Sequence, residues 1–251
     1  MSIESLPHID NAKHQVGVLA LLLLGAFGTA QLTLMAAPVF HPAKYRAGAL
    51  PPLPPLTVVG GGEVMLELDV TSQGTVRAAK VLRTTQPYTD SLIAATKTWQ
   101  FAPAEVEIEP PPPPGRPRFR TIDSTVLVAA VFRAPALIGP TLGDLPRDVG
   151  SEADSTPFPF STAPPVFPPR ARDPGMVMIE TIIDLSGQPT ENRVLQASAG
   201  FDEAALTALR QWRFRPARLG GSSTPTLAYV IIGFRQPVLG GAAGGAPPPG
   251  R

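Results

Sequence analysis

The chain has 251 residues, 43% of them hydrophobic, with 32 prolines and 23 glycines, so it can bury two small cores but spends much of its length on connecting segments. Its 21 basic and 20 acidic residues leave a net charge of +1, which gives no electrostatic footprint for nucleic acid. With no cysteine there is no disulfide framework, thiolate metal site, cysteine nucleophile or lipid-attachment cysteine.

In chain order, a polar segment over 1–15 precedes an uncharged apolar run over 16–37. As a helix rising ~1.5 Å per residue, that run is long enough to cross a hydrocarbon core of ~30 Å and reads as a transmembrane anchor. A cleaved secretory signal, with an apolar core from Val16 to Phe27 and Gly28-Thr29-Ala30 as a small-x-small cleavage site, is the alternative. Either way the remainder is exported. A proline-rich tether over 38–57 carries Pro51-Pro52 and Pro54-Pro55 and favours extended polyproline II.

Beyond the tether the chain says one thing twice. Gly62-Glu63-Val64-Met65-Leu66-Glu67 returns as Gly175-Met176-Val177-Met178-Ile179-Glu180, and Trp99-Gln100-Phe101-Ala102-Pro103-Ala104 returns as Trp212-Arg213-Phe214-Arg215-Pro216-Ala217. Gly62 to Gly175 and Trp99 to Trp212 are both 113 positions apart, so the copies align without a gap between these landmarks. A period of that size is a domain rather than a solenoid unit of ~20 to 50 residues. The reading is two domains, at 58–133 and 160–235, joined by a proline-rich linker over 134–159 and followed by a Gly/Pro tail over 236–251 that cannot offset its ordering entropy.

Each copy opens with a strand of period two. Val64, Leu66, Leu68 and Val70 share one face in the first, and Val177, Ile179, Thr181 and Ile183 in the second. Turns at Thr71-Ser72-Gln73-Gly74 and Asp184-Leu185-Ser186-Gly187 close hairpins with second strands through Val81-Leu82 and Val194-Leu195. A helix capped by Asp202 then runs to about Trp212, with Thr89 or Asp90 as the first copy's cap. Val126 to Phe132 and Leu227 to Phe234 form the last strands. Each domain thus reads strand, strand, helix, strand, an α+β unit with an antiparallel sheet. Phe132 and Phe234 are 102 apart, so the first copy is longer by 11 residues in an insert spanning 105–120 that contains Pro110 to Pro114. That run cannot sit in a sheet.

The second copy resembles the C-terminal domain of the TonB family of energy transducers. The resemblance rests on Pro165-Val166-Phe167-Pro168-Pro169-Arg170-Ala171, Gly175-Met176-Val177, Asp184-Leu185-Ser186-Gly187, Phe201-Asp202-Glu203-Ala204-Ala205, Trp212-Arg213-Phe214-Arg215-Pro216-Ala217 and Phe234; the first copy follows more loosely. It implies a periplasmic protein held in the inner membrane through 16–37. Its last strand, Leu227, Ala228, Tyr229, Val230, Ile231 and Ile232, would accept an extended segment of an outer-membrane transporter by strand addition. Self-pairing in a homodimer and a covered edge are the other fates open to that strand. Inner-membrane proton-channel subunits are further partners implied by the family. The chain departs from it in having no histidine inside the apolar run and a tether reaching only ~60 Å at ~3.1 Å per residue. The alternative function is a non-transducing periplasmic protein-interaction module.

Chemistry is not expected. His8, His14 and His41 all precede both domains, so neither contains a histidine-based triad or metal site, and no cofactor or enzymatic activity is read. Glu67 and Glu180 occupy equivalent positions and, by alternation, are assigned to a solvated face. Trp99, Phe101, Trp212, Phe214 and Phe234 are assigned to the cores.

Overall fold

Two nine-residue runs, Ser124–Phe132 and Thr226–Phe234, carry apolar side chains on both faces with little alternation, the composition of strands covered on both sides. In the computed structural model, which describes residues 39–53, 55, 61–132, 156–219 and 221–235, these two strands lie side by side and parallel at the middle of one sheet. The pairing runs from Ala228↔Leu127 to Gly233↔Phe132.

The first copy supplies β1 (Phe40–His41), β2 (Lys44–Ala47), β3 (Gly62–Val70), β4 (Val76–Arg83), α1 (Tyr88–Thr96), β5 (Gln100–Ala102), β6 (Ala104–Glu107), β7 (Phe119–Ile122) and β8 (Ser124–Phe132). The second supplies β9 (Phe158–Ser161), β10 (Gly175–Ile183), β11 (Pro189–Gln196), α2 (Asp202–Leu209), β12 (Arg213–Arg215), β13 (Ala217–Leu219), β14 (Ser222–Thr224) and β15 (Thr226–Phe234). The result is a mixed α+β structure, mostly strand with two helices. Six strands form the main sheet in the order β11-β10-β15-β8-β3-β4, a palindrome in which each copy contributes half.

The internal repeat persists in the register. Met65↔Arg83, Leu66↔Val81 and Glu67↔Lys80 in β3–β4 recur 113 positions later as Met178↔Gln196, Ile179↔Val194 and Glu180↔Arg193 in β10–β11, and the same irregularity follows Met65 and Met178. Because the central pair is parallel, the copies are related by a pseudo-two-fold axis along the strands, and equivalent residues face opposite sides of the sheet. Val64, Leu66, Leu68 and Val70 pack with Leu92 of α1 on one side, whereas Val177, Ile179 and Ile183 pack with Ala205 and Leu209 of α2 on the other. β8 and β15 feed both cores. Ala129 and Val230 belong to the α2 side, Val128 and Ile231 to the α1 side.

The described residues from 39 to 235 therefore form one compact unit rather than two separate modules. Neither copy has a closed core of its own, because burying both faces of β8 and β15 requires the partner copy.

Several sequence expectations are revised. The stretch read as a tether contributes β1 and β2, and β2 pairs with β5 through Lys44↔Ala102 and Tyr45↔Phe101. Its counterpart, straddling the end of the stretch read as linker, is β9, which pairs with β12 through Phe158↔Arg215 and Pro159↔Phe214. Here the offset is 114, and the indole anchors agree: Trp99 Nε1–H donates to Ala49 O (2.9 Å) and Trp212 Nε1–H to Ala163 O (3.2 Å). Both helices start without a side-chain cap. Thr89 and Asp202 instead reach back to accept the Thr85 and Ser198 N–H groups (both 2.9 Å), closing the preceding loops, and α2 ends at Leu209, before Trp212. The insert lengthens the β6–β7 hairpin, with Pro110 to Pro114 beyond its paired residues. The segments at 1–37 and 236–251 lie outside the described residues. Among the described residues, no helix is long and apolar enough to cross a membrane.

Two turn glycines explain why the Gly and Trp-x-Phe landmarks recur together. Gly74 (φ +83°) and Gly187 (φ +81°) are left-handed, and a Cβ on them would fall 2.0 Å from Phe101 O and 1.8 Å from Phe214 O. At each site the glycine carbonyl accepts the phenylalanine N–H, at 2.8 and 2.9 Å.

Candidate partner-binding strand and the cleft at its foot

The strand expected to accept a partner is sealed. Along β15, Ala228, Tyr229, Val230, Ile231 and Ile232 are fully buried and Leu227 is 9% exposed. One edge pairs with β10 over its whole length and the other with β8 from Ala228 onward. Strand addition there has no free edge to use, since the neighbouring copy already fills the position. Trp99, Phe101, Trp212, Phe214 and Phe234 are all buried, at 3% exposure or less.

The carboxylates assigned to solvent, Glu67 at 9% and Glu180 at 8% exposure, are buried too, and Glu63 is buried beside them at 1%. That assignment assumed a sheet wetted on one face, but each copy's leading arm crosses onto the other copy and covers its second face. From the first arm, Tyr45 N–H donates to Tyr229 Oη (2.7 Å), and Gln196 Nε2 donates to Tyr45 Oη (2.7 Å). Tyr229 Oη–H in turn donates to Glu180 Oε2 (3.1 Å), whose other oxygen takes Arg193 Nη2 at 2.8 Å. From the second arm, Thr156 Oγ1–H donates to Glu67 Oε2 (2.5 Å) and Thr162 Oγ1–H to Glu63 Oε1, while Arg83 Nε lies 2.8 Å from Glu63 Oε2. Burial drives the Tyr229 phenol well above its ordinary range, with the Glu180 charge adding to the shift. Tyr229 therefore stays a neutral donor. Burial also raises Tyr45. A further tie is Arg235, which donates to Tyr88 Oη (3.0 Å) and Pro55 O (2.7 Å) across the copies.

At the foot of the central strands the sheet forks. The β8–β15 ladder begins only at Leu127 and Ala228, so Ser124, Thr125 and Val126 on one prong and Thr226 and Leu227 on the other enclose a cleft of about 300 Å³. It lies on the pseudo-two-fold axis. Ser124 and Thr226, Thr125 and Leu227, Pro42 and Thr156, and Ala43 and Pro157 are equivalent positions of the two copies, and all line it. A more polar hollow of about 290 Å³ adjoins it, sharing Pro42 and Leu227 and bounded by Lys44, Glu180, Glu191 and Arg193. No group of histidines and carboxylates suited to holding a metal ion occurs among the described residues.

The sheet's open edges are β4 and β11. β11 starts at Pro189 and carries Glu191 at φ +46°, which breaks its outer face, whereas β4 has no positive-φ residue and exposes Val81 at 42%. Comparison with protein families matches residues 163–235 to the Gram-negative bacterial TonB protein C-terminal. Residues 163–235 are a TonB C-terminal domain. No curated protein matches the chain. TonB C-terminal domains are non-enzymatic protein-interaction domains that engage outer-membrane transporters, and this one implies an envelope, periplasmic protein. The matched stretch runs from the end of the second arm through α2 to Arg235, so β15 is the last strand of the TonB C-terminal domain and β8 is the element laid against it.

The sequence carried a signal for this placement. An edge strand of an antiparallel sheet wetted on one face alternates, whereas Val126–Phe132 and Leu227–Phe234 do not, and that points to the middle of a sheet covered on both faces. The arms gave almost none. Over 42–50 and 156–164 the copies share little beyond Ala49 and Ala163, because these residues are held through main-chain pairing.

Proposed function

We propose that this chain is a TonB-like envelope protein in which a diverged first copy of the C-terminal domain is fused to the second as a permanent partner, and that the fused sheet binds an extended segment of an outer-membrane transporter or another envelope protein. The observation carrying this reading is the domain match at 163–235 together with a sheet whose middle is closed and whose β4 edge is open. Strand addition at β4 is favoured over β11 because β4 carries no positive-φ residue, and its Lys80 is in no ion pair with the described residues, which suits a segment with an acidic residue opposite it. Anchoring through 16–37 belongs to the same reading and rests on the length of the apolar run.

The test is amide exchange in the full chain on adding peptides from the periplasm-facing end of an outer-membrane transporter of the same cell. Slowed exchange across Val76–Arg83 is expected. Binding without protection there removes strand addition at β4, and no binding by any transporter segment removes the transporter reading.

A second reading, a periplasmic interaction module without energy coupling, is favoured by the histidine-free apolar run and the sealed β15 edge. Cell fractionation separates the two, since a soluble product processed after Ala30 fits only the module.

A further inference from the structure

The forked cleft on the pseudo-two-fold axis is built like a binding site, and we infer that it receives a short, uncharged, extended peptide segment. The inference stands on the cleft alone, independently of the family match and of the β4 edge.

Three observations carry it. The hydroxyl oxygens of Ser124 and Thr226 are buried with no hydrogen-bond partner among the described residues, and they are the same position in the two copies. A buried hydroxyl without a partner costs free energy, and two at one place, each able to turn about its Cα–Cβ bond, leave that cost to be met by a ligand. The strands also part at this place. Val126 and Leu227 lie below the last rung of the β8–β15 ladder, so the facing edges of the two prongs do not pair with each other. Two of the arm residues in the lining, Pro42 and Pro157, have no N–H to give to the prongs' carbonyls. A peptide main chain supplies both an N–H and a carbonyl at strand spacing, which a hydrocarbon or a simple alcohol does not.

Charge sets the rest of the ligand's chemistry. The one carboxylate in the lining, Asp123, is already taken by Ser72 N–H (2.8 Å) and Arg77 Nη1 (2.8 Å), which hold its pKa below the usual carboxylate range. No lining side chain is a cation, so neither a free carboxylate nor an ammonium end finds a counter-charge. The apolar remainder of the wall and a volume of about 300 Å³ fit one or two small aliphatic residues.

The test titrates acetyl-Ala-Val-Ala-amide into the full chain carrying 13C-labelled methyl groups, with cyclohexanol and the uncapped zwitterionic tripeptide as comparisons. Saturable shifts at Val126 and Leu227 are expected, with the capped peptide binding at least tenfold tighter than either comparison. Binding by cyclohexanol alone, or by none of the three, overturns the inference. So do shifts that grow with protein concentration in the absence of peptide, because a second copy would then be the occupant. The double variant Ser124→Ala, Thr226→Val keeps the volume nearly constant and should weaken peptide binding at least tenfold while leaving the melting temperature unchanged or raised. A lowered melting temperature would mean that the hydroxyls serve the fold, and would overturn the assignment.

Discussion

Replacing Trp99 with Ala damages the first copy and leaves Trp212 as the sole tryptophan, so intrinsic fluorescence then reports on the second copy alone. Trp99 is fully buried, and truncating a buried indole costs about 3–5 kcal/mol. Its Nε1–H bond to Ala49 O (2.9 Å) is lost as well, which adds about 1 kcal/mol. The total, about 4–6 kcal/mol, is a large share of a stability of roughly 5–15 kcal/mol. Were the copies independent, Trp212 would not register it. Because β8 seals β15 and Tyr45 of the first arm holds Tyr229, the loss should reach the second copy in full. With a urea dependence of about 2 kcal/mol per molar, the Trp212 transition should move down by about 2–3 M and still coincide with the loss of circular dichroism. A Trp212 transition at the wild-type midpoint, with a separate earlier loss of secondary structure, would refute the shared sheet.

Other consequences can be read from single sites. Gly187→Ala should cost about 2–4 kcal/mol through left-handed strain and a forced shift of Phe214, whereas Gly200→Ala, at φ +83° with nothing within 4 Å, should cost only about 1 kcal/mol; equal losses in melting experiments would remove the close-approach argument. Tyr229→Phe strips the Tyr45 N–H of its acceptor and Glu180 of a donor, so denaturant melts should show a loss of about 2–4 kcal/mol, and a neutral result would mean that this crossing is not structural. Asp184 is lowered by the Gln188 N–H and the Ser186 hydroxyl, and Asp123 by the Ser72 N–H and Arg77. Their contribution is complete above the ordinary aspartate value of 3.8 and is lost as pH falls below it towards the lowered folded-state values, so Asp184→Asn should flatten the melting-temperature profile only on that acid side.

How far the fold was legible can be argued element by element. The repeat, the opening hairpins, the helices and the tryptophan cores follow from local spacing, because period two, the turn glycines and the Leu92 or Leu209 stripes act within a few residues. The joining of the copies depends on pairing between residues about 100 positions apart, which spacing does not encode. The even apolarity of β8 and β15 is the clue the sequence offers, since a strand apolar on both faces belongs in the middle of a sheet covered on both sides. Glu67 and Glu180 were misplaced for the same reason, since alternation separates two faces without saying whether the second meets water or another segment. The cleft was illegible, because it exists only where two equivalent strands part.

The absence of cysteine allows a direct test of the seam. Ala129 and Val230 are register partners on the α2 side of β8 and β15, and adjacent strands place their Cα atoms within the range a disulfide spans. In the double variant Ala129→Cys, Val230→Cys, mild oxidation should give an intramolecular cross-link that holds the two copies together after proteolysis within 133–155. Free thiols after oxidation, or cross-links only between chains, would contradict the placement of β8 against the last strand.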